Sequence, residues 1–378
     1  MKYKKRLGFI HVSLVLACVA STWWQFQLQF LRGTTSRSLA SYSSQRWTAS
    51  SLTTAVNASR LHFVVIAPSF SFSETLGCGG CTVLLQLREE LLGLGHEVDL
   101  HSMYVPHNCT NIRANESIVV YPEVVSWTCS GDPLLHVRWM LAPAGTNMPH
   151  STTDSWGQSD WVYNYGTYAP GINKSVPHEN ILMVIRNPYD GDDFDELAKR
   201  QPKVDEREWC FTKRKMAKFH DPNLVIDIHP KEAAELPGDV NSAAELFRHT
   251  KYFVSYDPYT MLTFIAPWLG CISIVYPMAG TSKVQWFEST AWGPYFRDTG
   301  RTIIMDSIAY GSATDEIERA KSNLHLSREE FMNVKSWGTS TVKRICDDVH
   351  AYMAGKPDEI VGRQPVSYFY PTGWYSAN

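Results

Sequence analysis

The sequence has no excess of basic residues: 35 Lys and Arg stand against 38 Asp and Glu, a formal net charge of −3. A nucleic-acid backbone is neutralised by clustered cations, so the charge balance argues against nucleic-acid binding. Polar bias is also missing over most of the length: 44% of residues are hydrophobic and only 19% charged. Such a chain can bury real cores, which excludes disorder throughout. No internal repeat is visible, so a solenoid has no basis. No second cysteine pair or histidine cluster accompanies Cys78-Gly79-Gly80-Cys81, which removes zinc. The pair sits where a thioredoxin-like motif would, at a helix start, but the rest of the chain lacks that pattern.

What is present begins with an address. Lys2, Lys4, Lys5 and Arg6 precede residues 7–31, which contain no Asp, Glu, Lys or Arg. The most apolar stretch, 7–24, has the length of a membrane-crossing helix, with Trp23 and Trp24 at its far end. Positive charge before the span predicts a cytosolic tail at 1–6, a transmembrane signal anchor at 7–31 and a single-pass type II orientation with a lumenal body. Cys18-Val19-Ala20 keeps the alternative of a cleaved signal and a secreted product open. Residues 32–59 are Ser/Thr-rich without an apolar period and read as a solvated stem. Anchor, stem and body are the layout of a Golgi-membrane enzyme. Sequons at Asn57, Asn108, Asn115 and Asn173 agree with a glycosylated lumenal body. Seven cysteines lie beyond the anchor, an odd number that leaves at least one thiol free or paired between chains. Cys109 with Cys129 is the first candidate disulfide.

A length of 378 residues suits two ordinary domains. The run 61–67 reads as a strand buried on both faces, followed by a glycine loop, a helix over 82–94 and a strand from Val98. This is the opening of a doubly wound domain. Another strand is expected over 117–125 and a short one at Trp161-Val162-Tyr163. A second series follows, with strands at 181–185, 224–228, 252–256 and 272–276. Its helices are expected at 242–249 and at 258–269, the latter with Pro258 first. The expected fold is α/β: two Rossmann-like doubly wound parallel-sheet domains facing a cleft, at 60–176 and 177–355, before a tail at 356–378. Ligands bind at the carboxyl ends of such strands. Two facing Rossmann-like domains are the GT-B architecture of nucleotide-sugar glycosyltransferases.

Blocks along 61–312 carry a more specific likeness. They include Tyr121-Pro122-Glu123-Val124-Val125, Gly131-Asp132-Pro133-Leu134, Val137-Arg138-Trp139, Arg214-Lys215 and Val225-Ile226-Asp227. The strongest are Tyr252-Phe253-Val254-Ser255-Tyr256-Asp257-Pro258-Tyr259-Thr260 and Gly270-Cys271-Ile272-Ser273-Ile274-Val275-Tyr276-Pro277, with Gly280 after them. In their order and spacing the chain resembles the bacterial lipopolysaccharide-core (WavQ-like) glycosyltransferases, with an anchor, sequons and Trp127-Thr128-Cys129 added. The resemblance implies a donor site at Arg214, Lys215, Ser255, Tyr256, Asp257, Thr260 and Gly280, and places Arg138 with the Gly77, Gly79 and Gly80 substrate loop.

The residue chemistry is compatible with that reading. Arg214 and Lys215 can neutralise a leaving diphosphate without a metal. Ser255, Asp257 and Thr260 flank an expected strand end and helix start, where backbone N–H groups can hold phosphate; Asp257 could equally be a plain N-cap. Glu123 and Asp132 are the candidate bases for deprotonating an acceptor hydroxyl. The expected activity is metal-independent sugar transfer from a nucleotide sugar, the co-substrate, to a glycan or glycoconjugate hydroxyl, with no cofactor. Two alternatives remain: an inactive carbohydrate-binding protein on the same scaffold, and a GT-A-like, Mn-dependent enzyme using Asp190, Asp192 and Asp193.

Overall fold

The apolar run that opens the body is a strand, β1 (His62–Ala67), buried at every position. The computed structural model containing it describes residues 60–68, 70, 79–142, 147, 150–166, 180–184, 207–237, 240–360 and 362, all within the unit Asn57–Asn378. The expected anchor, stem and acidic run at 190–195 lie outside the described residues, as do Asn57, Gly77 and Asn173. Among the described residues no helix is long and apolar enough to cross a membrane.

After β1 come α1 (Gly79–Gly93), β2 (Glu97–Ser102), β3 (Ser117–Pro122), β4 (Leu135–Met140) and β5 (Trp161–Asn164). These strands form one parallel sheet in the order β2-β1-β3-β4-β5. Helix α1 stops where Gly95 turns into positive φ and the N–H of His96 returns to the carbonyl of Leu91. One sheet face carries Val64, Ile66, Val119 and Tyr121 under the loops holding Cys109, Ile112, Val125 and Cys129. The Cys109–Cys129 disulfide ties those two loops together, as the sequence suggested. Cys81 is also disulfide-bonded, while Cys210, Cys271 and Cys346 are free and buried.

The second sheet is built from β6 (Arg207–Thr212), α2 (Met216–Phe219), β7 (Ala234–Glu235), α3 (Val240–Arg248), β8 (Thr250–Ser255), α4 (Leu262–Trp268) and β9 (Ile272–Val275). Next come α5 (Lys283–Glu288), α6 (Gly293–Thr299), α7 (Ile303–Asp306), β10 (Ile308–Tyr310), α8 (Thr314–Asn323) and α9 (Ser327–Met353). The strand order is β10-β9-β8-β6-β7, again parallel. The chain is therefore α/β with two five-stranded parallel sheets, an arrangement compatible with two Rossmann-like domains.

Two expected strands are corrected. Ile181 makes only a bridge, and its partner is Asn164 at the end of β5 in the first sheet. The N–H of Leu182 donates to the Asn164 carbonyl, and the Leu182 carbonyl receives the Trp139 indole N–H at 2.8 Å. An apolar run announces burial but not the sheet it joins. Residues 224–228 are irregular: their N–H groups at Ile226 and Ile228 donate to the hydroxyls of Tyr276 and Tyr256 instead of to a strand. The second sheet instead starts at β6, a short strand whose apolar part is only Trp209-Cys210-Phe211, flanked by Arg207, Glu208 and Thr212.

The 27-residue α9 braces both sheets. Near its start Phe331 packs on Trp268, and Glu330 receives Tyr295 of α6 and Arg301 of the loop after it. Further along, Thr341 hydrogen-bonds Met183, Asp348 accepts from the Tyr163 hydroxyl at 3.0 Å, and Tyr352 meets Trp161, all on the first sheet's side.

Arg138 is the buried polar anchor of the first sheet. It lies in β4 with no exposed surface, pairs through Nε with Asp160 at 2.7 Å and donates through Nη1 to the carbonyls of Val125 and Trp127. Its guanidinium also stands 4.3 Å from the Tyr121 ring centroid. It stands in a strand rather than a loop and pins the segment after β3 from beneath. Removing one partner of a buried pair strands the other charge, so Arg138→Ala should cost about 3–5 kcal/mol in denaturant unfolding. Arg138→Met with Asp160→Leu should recover most of that loss; an unchanged midpoint for the single variant would show that the pair is not buried.

Candidate functional site

Parallel strands deliver the segments that follow them to one sheet edge. At that edge of the first sheet stand the opening turn of α1 with Gly79 and Gly80, Glu123 after β3, and Leu141 after β4. A Cβ on Gly80 would lie 3.5 Å from the Leu141 side chain, so α1 starts against Leu141. Glu123 is 2% exposed. One carboxylate oxygen accepts the Leu141 N–H at 3.1 Å and the other accepts the Asn147 amide at 3.2 Å. Burial raises the Glu123 pKa; those two hydrogen bonds and the charge of Lys215 pull against it.

At the carboxyl edge of the second sheet, β6 runs into Lys213-Arg214-Lys215 and β8 into Tyr256-Asp257. Lys213 is a structural residue: Nζ pairs with Asp227 at 2.5 Å and lies 5.5 Å from the Tyr256 ring centroid. Lys215 has a left-handed backbone, φ 59°, immediately before α2. A residue with a side chain holds that conformation at a cost of order 1–3 kcal/mol, which surrounding structure must offset. Arg214, Lys215 and Lys218 all act electrostatically on Asp257.

Asp257 is buried, and its carboxylate accepts the Tyr259 N–H at 3.0 Å. Burial raises its pKa against that bond and against the three cations. Ser255 is spent locally: its hydroxyl accepts the Asp257 N–H and donates to the Asp257 carbonyl. Tyr256 points into the sheet's core, where its hydroxyl receives Ile228 N–H at 2.9 Å, meets His229 Nδ1 at 2.8 Å, and is pushed up to about 12 by burial. Both hydroxyls are thus engaged by neighbouring groups of the chain. Helix α4 begins at Leu262, not at Pro258, and its seven residues leave the intervening turn to Asp257 and Thr260, whose hydroxyl accepts Leu262 N–H. Gly280 has φ +70° with open space around it, in the turn before the Ser282–Gln285 capping box that starts α5.

The two edges meet through Lys215, whose charge acts on both Asp257 and Glu123. Lys215 is exposed as a residue, yet desolvation holds its ammonium below the ordinary lysine range, with Asp257 and Glu123 pulling it back up. A buried carboxylate of the first sheet thus feels the charge of a basic loop of the second. Such a pair can accept a proton on one side and hold an anion on the other.

Several expected residues stand elsewhere. Asp132 is exposed, has φ 51° and accepts the Asn115 N–H through its carbonyl. It precedes β4, whose first residue pairs with Ile118 near the start of β3, so it sits at the sheet edge opposite Glu123, about 16 Å of strand away. Asn108 and Asn115 are exposed on loops. Asn147, the Leu141 N–H, Asp160 and the Lys213–Asp227 pair were not anticipated; none lies in a sequence pattern that announces its partner. Among the described residues no group of three His, Cys, Asp or Glu could hold a metal ion. No family model, curated protein or solved structure matches the chain.

A carboxyl group whose folded pKa lies above its unfolded value destabilises the fold at pH above both values and ceases to do so as pH falls to the unfolded value. Glu123→Gln should therefore melt higher than the parent at pH 7, and the difference should close as pH falls toward about 4.5. A difference independent of pH would mean that Glu123 is not a buried titrating group.

Proposed function

We propose that the chain is a GT-B-type glycosyltransferase of the Golgi membrane, held by an N-terminal type II anchor, that transfers a sugar from a nucleotide sugar to a glycan or glycoconjugate hydroxyl without a metal. The observation that carries this reading is that Glu123 stands at the carboxyl edge of one parallel sheet and Arg214, Lys215 and Asp257 at that of the other, with Lys215 acting electrostatically on both carboxylates. In a single displacement the acceptor oxygen bonds to the anomeric carbon while the bond to the leaving diphosphate breaks. Glu123 takes the hydroxyl proton, and burial raises its pKa above the ordinary carboxylate value, the direction a general base needs. Arg214 and Lys215 neutralise the negative charge that grows on the leaving group. Asp257 holds the basic loop in place by charge, and its deep burial makes that a more fitting role than contact with a sugar.

One observation favours the inactive carbohydrate binder instead: both oxygens of Glu123 already accept hydrogen bonds. Nucleotide release separates the two readings. The purified full-length chain, offered a panel of nucleotide sugars with simple glycosides as acceptors, should release nucleotide from at least one; a binder would release none. With that donor, Arg214→Ala should lower turnover on the order of 10²–10³-fold. Its melting temperature should stay unchanged, since an exposed cation contributes little stability. Normal turnover in Arg214→Ala would remove the basic loop from the reaction.

A further inference from the structure

The basic loop leads into a helix that buries nothing of its own. Helix α2 is four residues long, none of them is buried, and no side chain caps its start. Strand register brings the loop alongside the Asp257 turn: Thr212 pairs with Ser255, and the Tyr256 N–H donates to the Thr212 carbonyl at 3.0 Å. Three side chains then carry α2 onto the second sheet. Met216 packs on the cluster around Val254 and Tyr256. Phe219 stands edge-on to Tyr259 with ring centroids 5.1 Å apart, and His220 edge-on to Tyr276 at 5.0 Å.

Tyr259, by contrast, is fixed at both ends. Its N–H donates to the Asp257 carboxylate at 3.0 Å. Its hydroxyl lies 3.1 Å from that of Ser289, whose own proton goes to the Trp286 carbonyl, so the Tyr259 hydroxyl is the donor. The neighbouring Pro258 carbonyl receives the indole N–H of Trp286, a residue with no exposed surface, at 2.8 Å. Helix α5 and its terminal Ser289 thus hold the turn at 257–260 as a shelf, and Phe219 rests on the ring that it presents.

We propose that Tyr259 and Phe219 are positioning residues: their ring contact sets α2, and with it Arg214 and Lys215, in place beside the Asp257 turn. This rests on the reading of the basic loop as the seat of a diphosphate. Recognition of phosphate by charge-assisted hydrogen bonds depends on direction as well as on charge. Cations on a loosely held loop lose conformational freedom when an anion binds; cations already set lose less. The left-handed Lys215 backbone must also be maintained by its surroundings, and the Phe219 contact at the end of the same helix is a restraint on it. Both rings act through the loop and not on the anion.

The test is calorimetric binding of inorganic pyrophosphate to the full-length chain at pH 7, with the melting temperature of every variant recorded. Phe219→Leu and Tyr259→Leu keep an apolar side chain but lose the ring contact. Each should weaken binding about tenfold, the cost of ordering the Arg214 and Lys215 side chains on binding. The double variant should be no weaker than either single one, since both remove the same contact. Phe219→Tyr, which keeps the ring, should bind as the parent does. Tyr252→Leu is the control: it removes a stacked ring pair of the same sheet, with Trp209 at 4.4 Å, in the amino halves of β6 and β8. It should lower the melting temperature and leave the affinity unchanged. Equal losses of affinity in Tyr252→Leu and Phe219→Leu would reduce the effect to general stability and overturn the positioning role. Parent-like binding in Phe219→Leu and Tyr259→Leu would overturn it too, while leaving the loop as a diphosphate site. Absence of pyrophosphate binding to the parent would overturn both.

Discussion

Ionising a carboxylate that is almost wholly removed from water costs several kcal/mol unless nearby groups hold the charge. Glu123 is such a group, and the arrangement around it follows from how that cost is met. The carboxyl edge of a parallel sheet brings Leu141, Asn147 and the start of α1 to the same place, and from that set Glu123 receives two hydrogen bonds. These partners are neutral. The positive charge comes from Lys215 of the second sheet, so the electrostatic state of Glu123 depends in part on how the two halves are placed.

That placement is held in two ways. Helix α9 crosses from Phe331 and Glu330 on one side to Asp348 and Tyr352 on the other, with polar contacts at both ends. A close backbone approach fixes the spacing: a Cβ on Gly166 would lie 2.8 Å from the Ala291 Cα, so only glycine fits after β5.

The alternation of apolar strands with amphipathic helices was legible in the sequence, and so was the strand end that Glu123 follows, but β6, the strand that delivers the basic loop, was not. Burial pattern reports period and depth, not partners: of the strand expected at 181–185 the described part lies on the first sheet, and 224–228 is irregular. The same limit applies to the site. Ser255 and Tyr256 fall where a strand end should present donors, but strand alternation turns Tyr256 into the core, and a local turn consumes the Ser255 hydroxyl. Arg138 reads as a ligand contact until Asp160, 22 residues on, is seen beside it. Asp132 is near Glu123 in sequence but a full strand away in space, because a parallel connection must return to the opposite edge before the next strand begins.

The central claim is that Glu123 and Lys215 act on one another across the two sheets. A double-mutant cycle on unfolding free energy, with Glu123→Gln, Lys215→Met and the pair at pH 7, measures that interaction without any substrate. Solvent screening of Lys215 keeps the expected coupling modest, about 0.5–1 kcal/mol, with the sign of an attraction. The coupling should disappear at a pH low enough to protonate Glu123. Strict additivity of the two substitutions at neutral pH would contradict the account.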